Sequence, residues 1–125
     1  IDNSDDLEDL LEVVKSEKIS IVICDPFVAM HSKIENNAED AQQIMESLQK
    51  FNEVGATVLF VHHHRKDGFK KSNASQSIRG SSAFSGRLDS HIAVDKVSSD
   101  CVSHEMNIQH EKSRRCRNAT PFSIS

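Results

Sequence analysis

This sequence predicts an α/β fold in which parallel strands are joined by crossover helices and followed by a β-hairpin. Three observations carry that reading. Two short, β-branched apolar runs, residues 19–24 and 56–61, have the unbroken hydrophobicity of strands covered on both faces. Between them, apolar residues recur at helical spacing. After them, residues 91–97 and 104–110 alternate like strands around a Ser-Ser-Asp turn. A length of 125 residues sets the expectation of a single domain.

The elements follow in order. Ser4 is the expected N-cap of a first helix, with Asp5, Asp6 and Glu8 placed to favour the helix dipole. Leu7, Leu10, Leu11 and Val14 recur at i, i+3, i+4, i+7, which predicts one buried face. The first strand, residues 19–24, should stop at Asp25-Pro26, because Pro26 has no N–H to give to a ladder. Asn37 is the expected cap of the second helix. Its apolar stripe is Ala41, Ile44, Leu48 and Phe51, flanked by Met45 and Val54, and Gly55 stands where a C′ glycine belongs. The second strand, residues 56–61, runs into His62-His63-His64. Residues 64–82 are polar and predict a mobile loop, residues 83–89 a single helical turn, and residues 122–125 the start of another strand.

A strand–helix–strand unit of this kind pairs its strands in parallel through a right-handed crossover. Both C-terminal ends then lie at one edge of the sheet, about 4.8 Å apart for neighbouring strands. Asp25 and His62 are therefore expected to open into one crevice, the usual ligand site of open α/β sheets.

Composition narrows the function. The chain is 37% apolar and 27% charged with a net charge of -4, so nothing global argues for nucleic acid or an anionic membrane. Charge is uneven, however. Residues 1–17 hold seven acids and one Lys, residues 65–71 four bases and one acid, and residues 112–117 four bases and no acid. The three cysteines, Cys24, Cys101 and Cys116, are widely spaced with no CxxC pair, which fits a reducing, cytoplasmic setting. The longest apolar run, around residues 21–24, is far short of the roughly 20 residues of a membrane span, and the acidic start is unlike a signal peptide.

Two clusters bear on chemistry. An apolar strand ending in a carboxylate, as at Asp25, can hold Mg²⁺ through water, although a strand-terminal Asp before Pro is more often a turn former. The His62-His63-His64 run has three readings: a His-rich loop, a polar sensor donating to a phosphate oxygen, or a metal cluster with Asp25 and His31. Adjacent histidines on a strand face opposite ways, so His62 and His63 are poorly placed to share one ion.

Three segments then agree in order and spacing with one family. IVICDPFVAMH at 21–31 is similar to the Walker B strand of RepA-like hexameric replicative helicases, within the wider DnaB/RadA/KaiC group of RecA-like ATPases. VLFVHHHRKDG at 58–68 resembles that group's strand with its following histidines and lysine. SIRGSSAFSGRLDSHIAV at 77–94 resembles its Arg-Gly-Ser-Ser segment, helix and next strand. The resemblance covers about residues 7–112. It implies a partial RecA-like core, with residues 1–125 as the C-terminal half of the ATPase domain.

The same resemblance implies roles. Asp25 is the Walker B aspartate and holds Mg²⁺ through water. His62 or His63 senses the γ-phosphate, and Lys66 matches the lysine that follows. Arg79 matches the Arg-Gly-Ser-Ser arginine that acts on a neighbouring subunit's nucleotide. Lys112 and Arg114 resemble a Lys-x-Arg pair that reaches across a subunit interface, although Cys116 and Asn118 replace the glycine often found in that turn. ATP and Mg²⁺ are the implied cofactors, and ring or filament neighbours the implied partners, with no membrane. The basic loop at 65–79 stands where such rings present loops to single-stranded DNA. Lys70 and Lys71 would neutralise phosphates there, and Phe69 would stack on a base.

The departures are definite. No G-x-x-x-x-G-K-[ST] motif is present, since the spacing of Gly80 and Gly86 does not match it. In the resembled fold, the phosphate-loop strand lies between the His62 strand and the strand at 91–97. Without it the sheet has a gap in its middle, with unpaired edges. Together with a start at Ile1 rather than Met, this sets the expectation of a piece of a longer protein, or of half a core completed by another chain. The leading function is therefore part of an ATP-hydrolysing motor, expected to be inactive alone. The alternatives are a non-catalytic RecA-like assembly module, and a metal-dependent hydrolase using Asp25, His31 and residues 62–64.

Overall fold

The structure, a computed structural model, describes residues 1–63, 82–96 and 105–125. Helix α1 spans Ser4–Ser16, strand β1 Ile21–Cys24, helix α2 Ala38–Glu53 and strand β2 Thr57–Phe60. Helix α3 spans Ser82–Arg87, strand β3 Ser90–Lys96, strand β4 Met106–Ser113 and strand β5 Phe122–Ile124. A 3-10 turn at Phe27–Met30 follows β1.

β1 and β2 pair in parallel, with Ile21 opposite Thr57 and Cys24 opposite Phe60, and α2 makes the crossover. β3, β4 and β5 form a separate antiparallel sheet, in which Ala93 faces Gln109 and Ile108 faces Phe122. The mixed α/β class and the hairpin are thus as the sequence implies. Among the described residues no ladder joins β2 to β3. A cleft of about 1090 Å³ separates them, lined on one side by Thr57–Phe60 and on the other by Ser90, His91 and Ile92.

Both long helices are delimited by their sequences. Asn37 Oδ1 accepts from Glu39 N at 2.8 Å and Asp40 N at 3.2 Å, the expected cap of α2. α1 departs by one residue: its cap is Asn3, not Ser4, because the Asn3 amide oxygen is the group that reaches the Asp5 N–H. Each helix ends with an amide closing back five residues, Ile19 N to Val14 O and Ala56 N to Phe51 O, both at 2.9 Å. The left-handed residue in each closure is Lys18 (φ 54°) and Gly55 (φ 94°).

The core lies on one face of the β1–β2 pair. Ala41, Ile44, Met45 and Leu48 of α2 pack with Cys24, Phe27 and Phe84, while Leu7, Val14, Phe51 and Ala56 form a second cluster. Two expectations are corrected here. Leu10 is exposed, since α1 buries only the narrower Leu7–Val14 line with Leu11 at its margin. The strands are covered on one face only: Ile23 is 63% and Leu59 54% exposed, because α1 and α2 both pack against the opposite side.

Candidate functional site

The parallel ladder carries on past the strand ends. Val61 N donates to Cys24 O and Phe27 N donates to Val61 O, both at 2.9 Å. These two bonds bring the Asp25-Pro26 corner alongside Val61 and His62, so both strands open at one edge, as the crossover predicts. Asp25 is exposed there. His62 is half-buried and His63 exposed, consistent with neighbouring residues facing opposite ways.

Aromatic packing fixes the floor of this edge. The Phe27 ring stacks on Phe60 with centroids 4.4 Å apart, and meets Phe84 edge-on at 5.9 Å and His31 edge-on at 5.1 Å. Phe27 is fully buried, so it is a rigid base for the imidazoles around it. His62 lies 5.9 Å from Phe27 and 6.2 Å from Phe84 between ring centroids.

A carboxylate that sequence reasoning missed sits at the centre. His62 Nε2 is 3.0 Å from Glu35 Oε1, and His31 Nε2 is 3.4 Å from the same oxygen. The His62 Nδ1 lies 2.9 Å from the His63 carbonyl oxygen. Glu35 belongs to the loop before α2, where no periodicity points to it. The available signal was only its i+4 spacing from His31 and its place ahead of the Asn37 cap.

The metal-hydrolase alternative finds no support in this arrangement. Among the described residues no group of three His, Cys, Asp or Glu side chains is placed to hold a metal ion. His31 and His62 converge on Glu35 instead of on Asp25, and His64 lies outside the described residues. A Mg²⁺ ion held by one carboxylate through water is a different case, because most of its ligands are waters and phosphate oxygens. The exposed Asp25 fits that lesser demand.

The cleft between β2 and β3 is lined by charges of both signs, with Glu53 and Asp89 as its acids. His62, His63, Arg87, Arg114 and Arg115 all line it. Arg87 and Arg115 were not singled out from sequence. Lys112 and Arg114 turn toward the C-terminal end of α3, where the Lys112 ammonium donates to the Ser85 carbonyl and the Arg114 guanidinium to the Gly86 carbonyl. Arg114 Nη1 also lies 3.7 Å from Asp89. These cations meet the last carbonyls and negative pole of a helix end, an arrangement internal to the chain that the resemblance does not carry. Lys66, Phe69, Lys70, Lys71 and Arg79 lie outside the described residues.

The arrangement is that of an α/β unit whose parallel strands open an acid and an imidazole at one sheet edge, beside a cleft. A family model described as an AAA domain matches residues 2–68, which include α1, β1, α2, β2 and the His62-His63-His64 run. The chain belongs to that family of ATPase-type domains. No curated protein matches it. No helix among the described residues is long and apolar enough to cross a membrane.

Proposed function

We propose that this chain is the Mg²⁺- and sensor-bearing part of a RecA-like ATP-driven motor of the replicative-helicase type. The observation that supports it best is the joint opening of Asp25 and His62 at one edge of a parallel strand pair, in a chain of the AAA-domain family. Asp25 would accept hydrogen bonds from water around Mg²⁺, and the metal, when bound, would neutralise phosphate charge. His62 or His63 would donate to the γ-phosphate. Arg79 and Arg114 would act on a neighbour's nucleotide, where a fixed, permanently charged fork suits developing phosphate charge. Lys66 and Lys112 would add positive charge beside the phosphates. Lys70, Lys71 and Phe69 would contact single-stranded DNA. The phosphate cradle, absent from these 125 residues, would come from polypeptide outside them and fill the cleft between β2 and β3.

ATP turnover tests this. The chain alone should hydrolyse nothing, because the cradle supplies most of the positioning. A protein joining it to a phosphate-loop half should turn over ATP, and Asp25→Ala should cut the rate by about 10²-fold or more. Turnover by the chain alone that is lost in Asp25→Ala overturns the division of labour. Turnover by the joined protein that survives the substitution overturns the role of Asp25.

One observation favours a non-catalytic assembly module as the second reading. Lys112 and Arg114 are already engaged by α3 within the chain, so neither is free for a neighbour's nucleotide in this state. A joined protein that oligomerises but binds no ATP would select it.

A further inference from the structure

We propose that Glu35 is a shared carboxylate: it holds His62 with both ring nitrogens protonated, and passes to His31 when an anionic ligand claims His62. The first half follows from donors and acceptors alone. A neutral imidazole has one donor nitrogen and one acceptor nitrogen. The His63 carbonyl oxygen, 2.9 Å from His62 Nδ1, only accepts, so Nδ1 carries a proton. An ionised Glu35, with Oε1 3.0 Å from His62 Nε2, also only accepts, so Nε2 carries the other. The ring is therefore an imidazolium beside a carboxylate, a charge-assisted pair.

The second half follows from His31. Its side chain is 1% exposed, and neither ring nitrogen has a hydrogen-bond partner among the described residues. Buried polar atoms left in that state are uncommon and costly. The nearest acceptor is Glu35 Oε1 at 3.4 Å, within ion-pair reach but outside hydrogen-bond geometry. An approach of about half an ångström would complete a normal bond. The same oxygen is held at 3.0 Å by His62, which keeps the carboxylate on the His62 side of the pair.

An anion arriving at His62 changes the balance. It takes the Nε2–H and repels the Glu35 carboxylate, and His31 is the partner already beside it. Phe27 contacts both rings and keeps them in place during the exchange. Among the described residues, the exposed Asp25 and His63 and the Ile1 ammonium, which donates to the Met30 carbonyl at 2.8 Å, also border this edge. In the ligand-free state, Glu35 thus stores a cationic donor without leaving its charge unbalanced. In the bound state, the swap signals occupancy to the loop of residues 31–35. Glu35 is a positioning residue acting through His62. The exchange rests on the phosphate-binding reading above; the protonation of His62 does not.

Two-bond ¹H–¹⁵N spectra of the histidine-labelled chain at neutral pH test both halves, with tripolyphosphate as the anionic probe. His62→Gln and His31→Gln assign the signals. The expected result is two protonated ring nitrogens on His62, one in Glu35→Gln, and two again in Glu35→Asp. Tripolyphosphate should shift the His31 ring signals in the wild type and leave them unmoved in Glu35→Gln. A singly protonated His62 in the wild type, or an unchanged His62 in Glu35→Gln, overturns the positioning role. If Glu35→Gln fails to fold, the wild-type and Glu35→Asp spectra decide it. A His31 ring that ignores the probe while His62 responds overturns the exchange alone. Silence from both rings counts against the phosphate-binding reading, and leaves the protonation of His62 to be judged on the probe-free spectra.

Discussion

Asp2 shows how one side chain ties a distant loop. Its Oδ2 accepts from the Ser32 amide at 2.7 Å and the Ser32 hydroxyl at 2.6 Å, thirty residues away. These bonds, the hydroxyl first, favour the ionised form and hold its carboxyl at about 2, against a usual 3.8. A carboxyl whose folded-state value is depressed adds stability above its unfolded value and loses it as pH falls through the folded one. The Asp2 contribution should therefore be complete above pH ~4 and gone near pH ~2. Urea midpoints for wild type and Asp2→Asn should differ at pH 6 and converge near pH 2; a constant gap would reject this. Residue-scale features of this kind were only partly legible in the sequence. Asp25 and His62 were found because each ends an apolar run, and a run's end is visible. Glu35 was not, because its partners come from residues 31 and 62, and a contact across the fold leaves no local period.

At the scale of elements, sequence was most informative where physics is local. The α2 stripe of Ala41, Ile44, Leu48 and Phe51 is buried as its spacing implies, and Asn37 and Gly55 bound it. Gly55 gives a clean test of backbone preference. A Cβ added there meets nothing within 4 Å, so any cost of Gly55→Ala is the cost of φ 94° itself. The substitution should destabilise by about 1–2 kcal/mol, measured by chemical denaturation. Lys18→Gly, at the matching position of α1, should move stability the other way. A neutral Gly55→Ala would mean that the helix end relaxes. The boundary error at α1 has a plain cause: Asn3 and Ser4 are both good caps, and only the geometry of the Asp5 N–H separates them. Leu10 was misplaced because a helical stripe gives the direction of burial but not the width of the surface it meets.

For the molecule as a whole, the pattern of apolar runs predicted the parallel pair and the hairpin, yet overstated burial. Whether a strand is covered on its second face depends on what packs there, and a run of Ile and Val reads alike in both cases. Ile21, Ile23, Leu59, Val61, Ile92 and Val94 are each at least 45% exposed. Exposed apolar surface on this scale should bind the dye ANS in native buffer. Replacing Ile23 and Leu59 with Lys should reduce the fluorescence and leave the far-ultraviolet circular dichroism unchanged; a dark wild type would contradict the exposure.

The 6.2 Å separation of the His62 and Phe84 rings has a consequence for protein engineering. The described polypeptide leaves this sheet edge at His63 and resumes at α3, whose Phe84 is anchored in the same aromatic floor. The His62 and Phe84 side chains thus bring the exit and re-entry of the chain near each other, so residues inserted between them have a short distance to span. Each doubling of such a tether adds only about 0.6 kcal/mol of closure entropy. Residues added between His63 and Phe84 should therefore cost little stability, as urea midpoints of chains with inserts of increasing length would show.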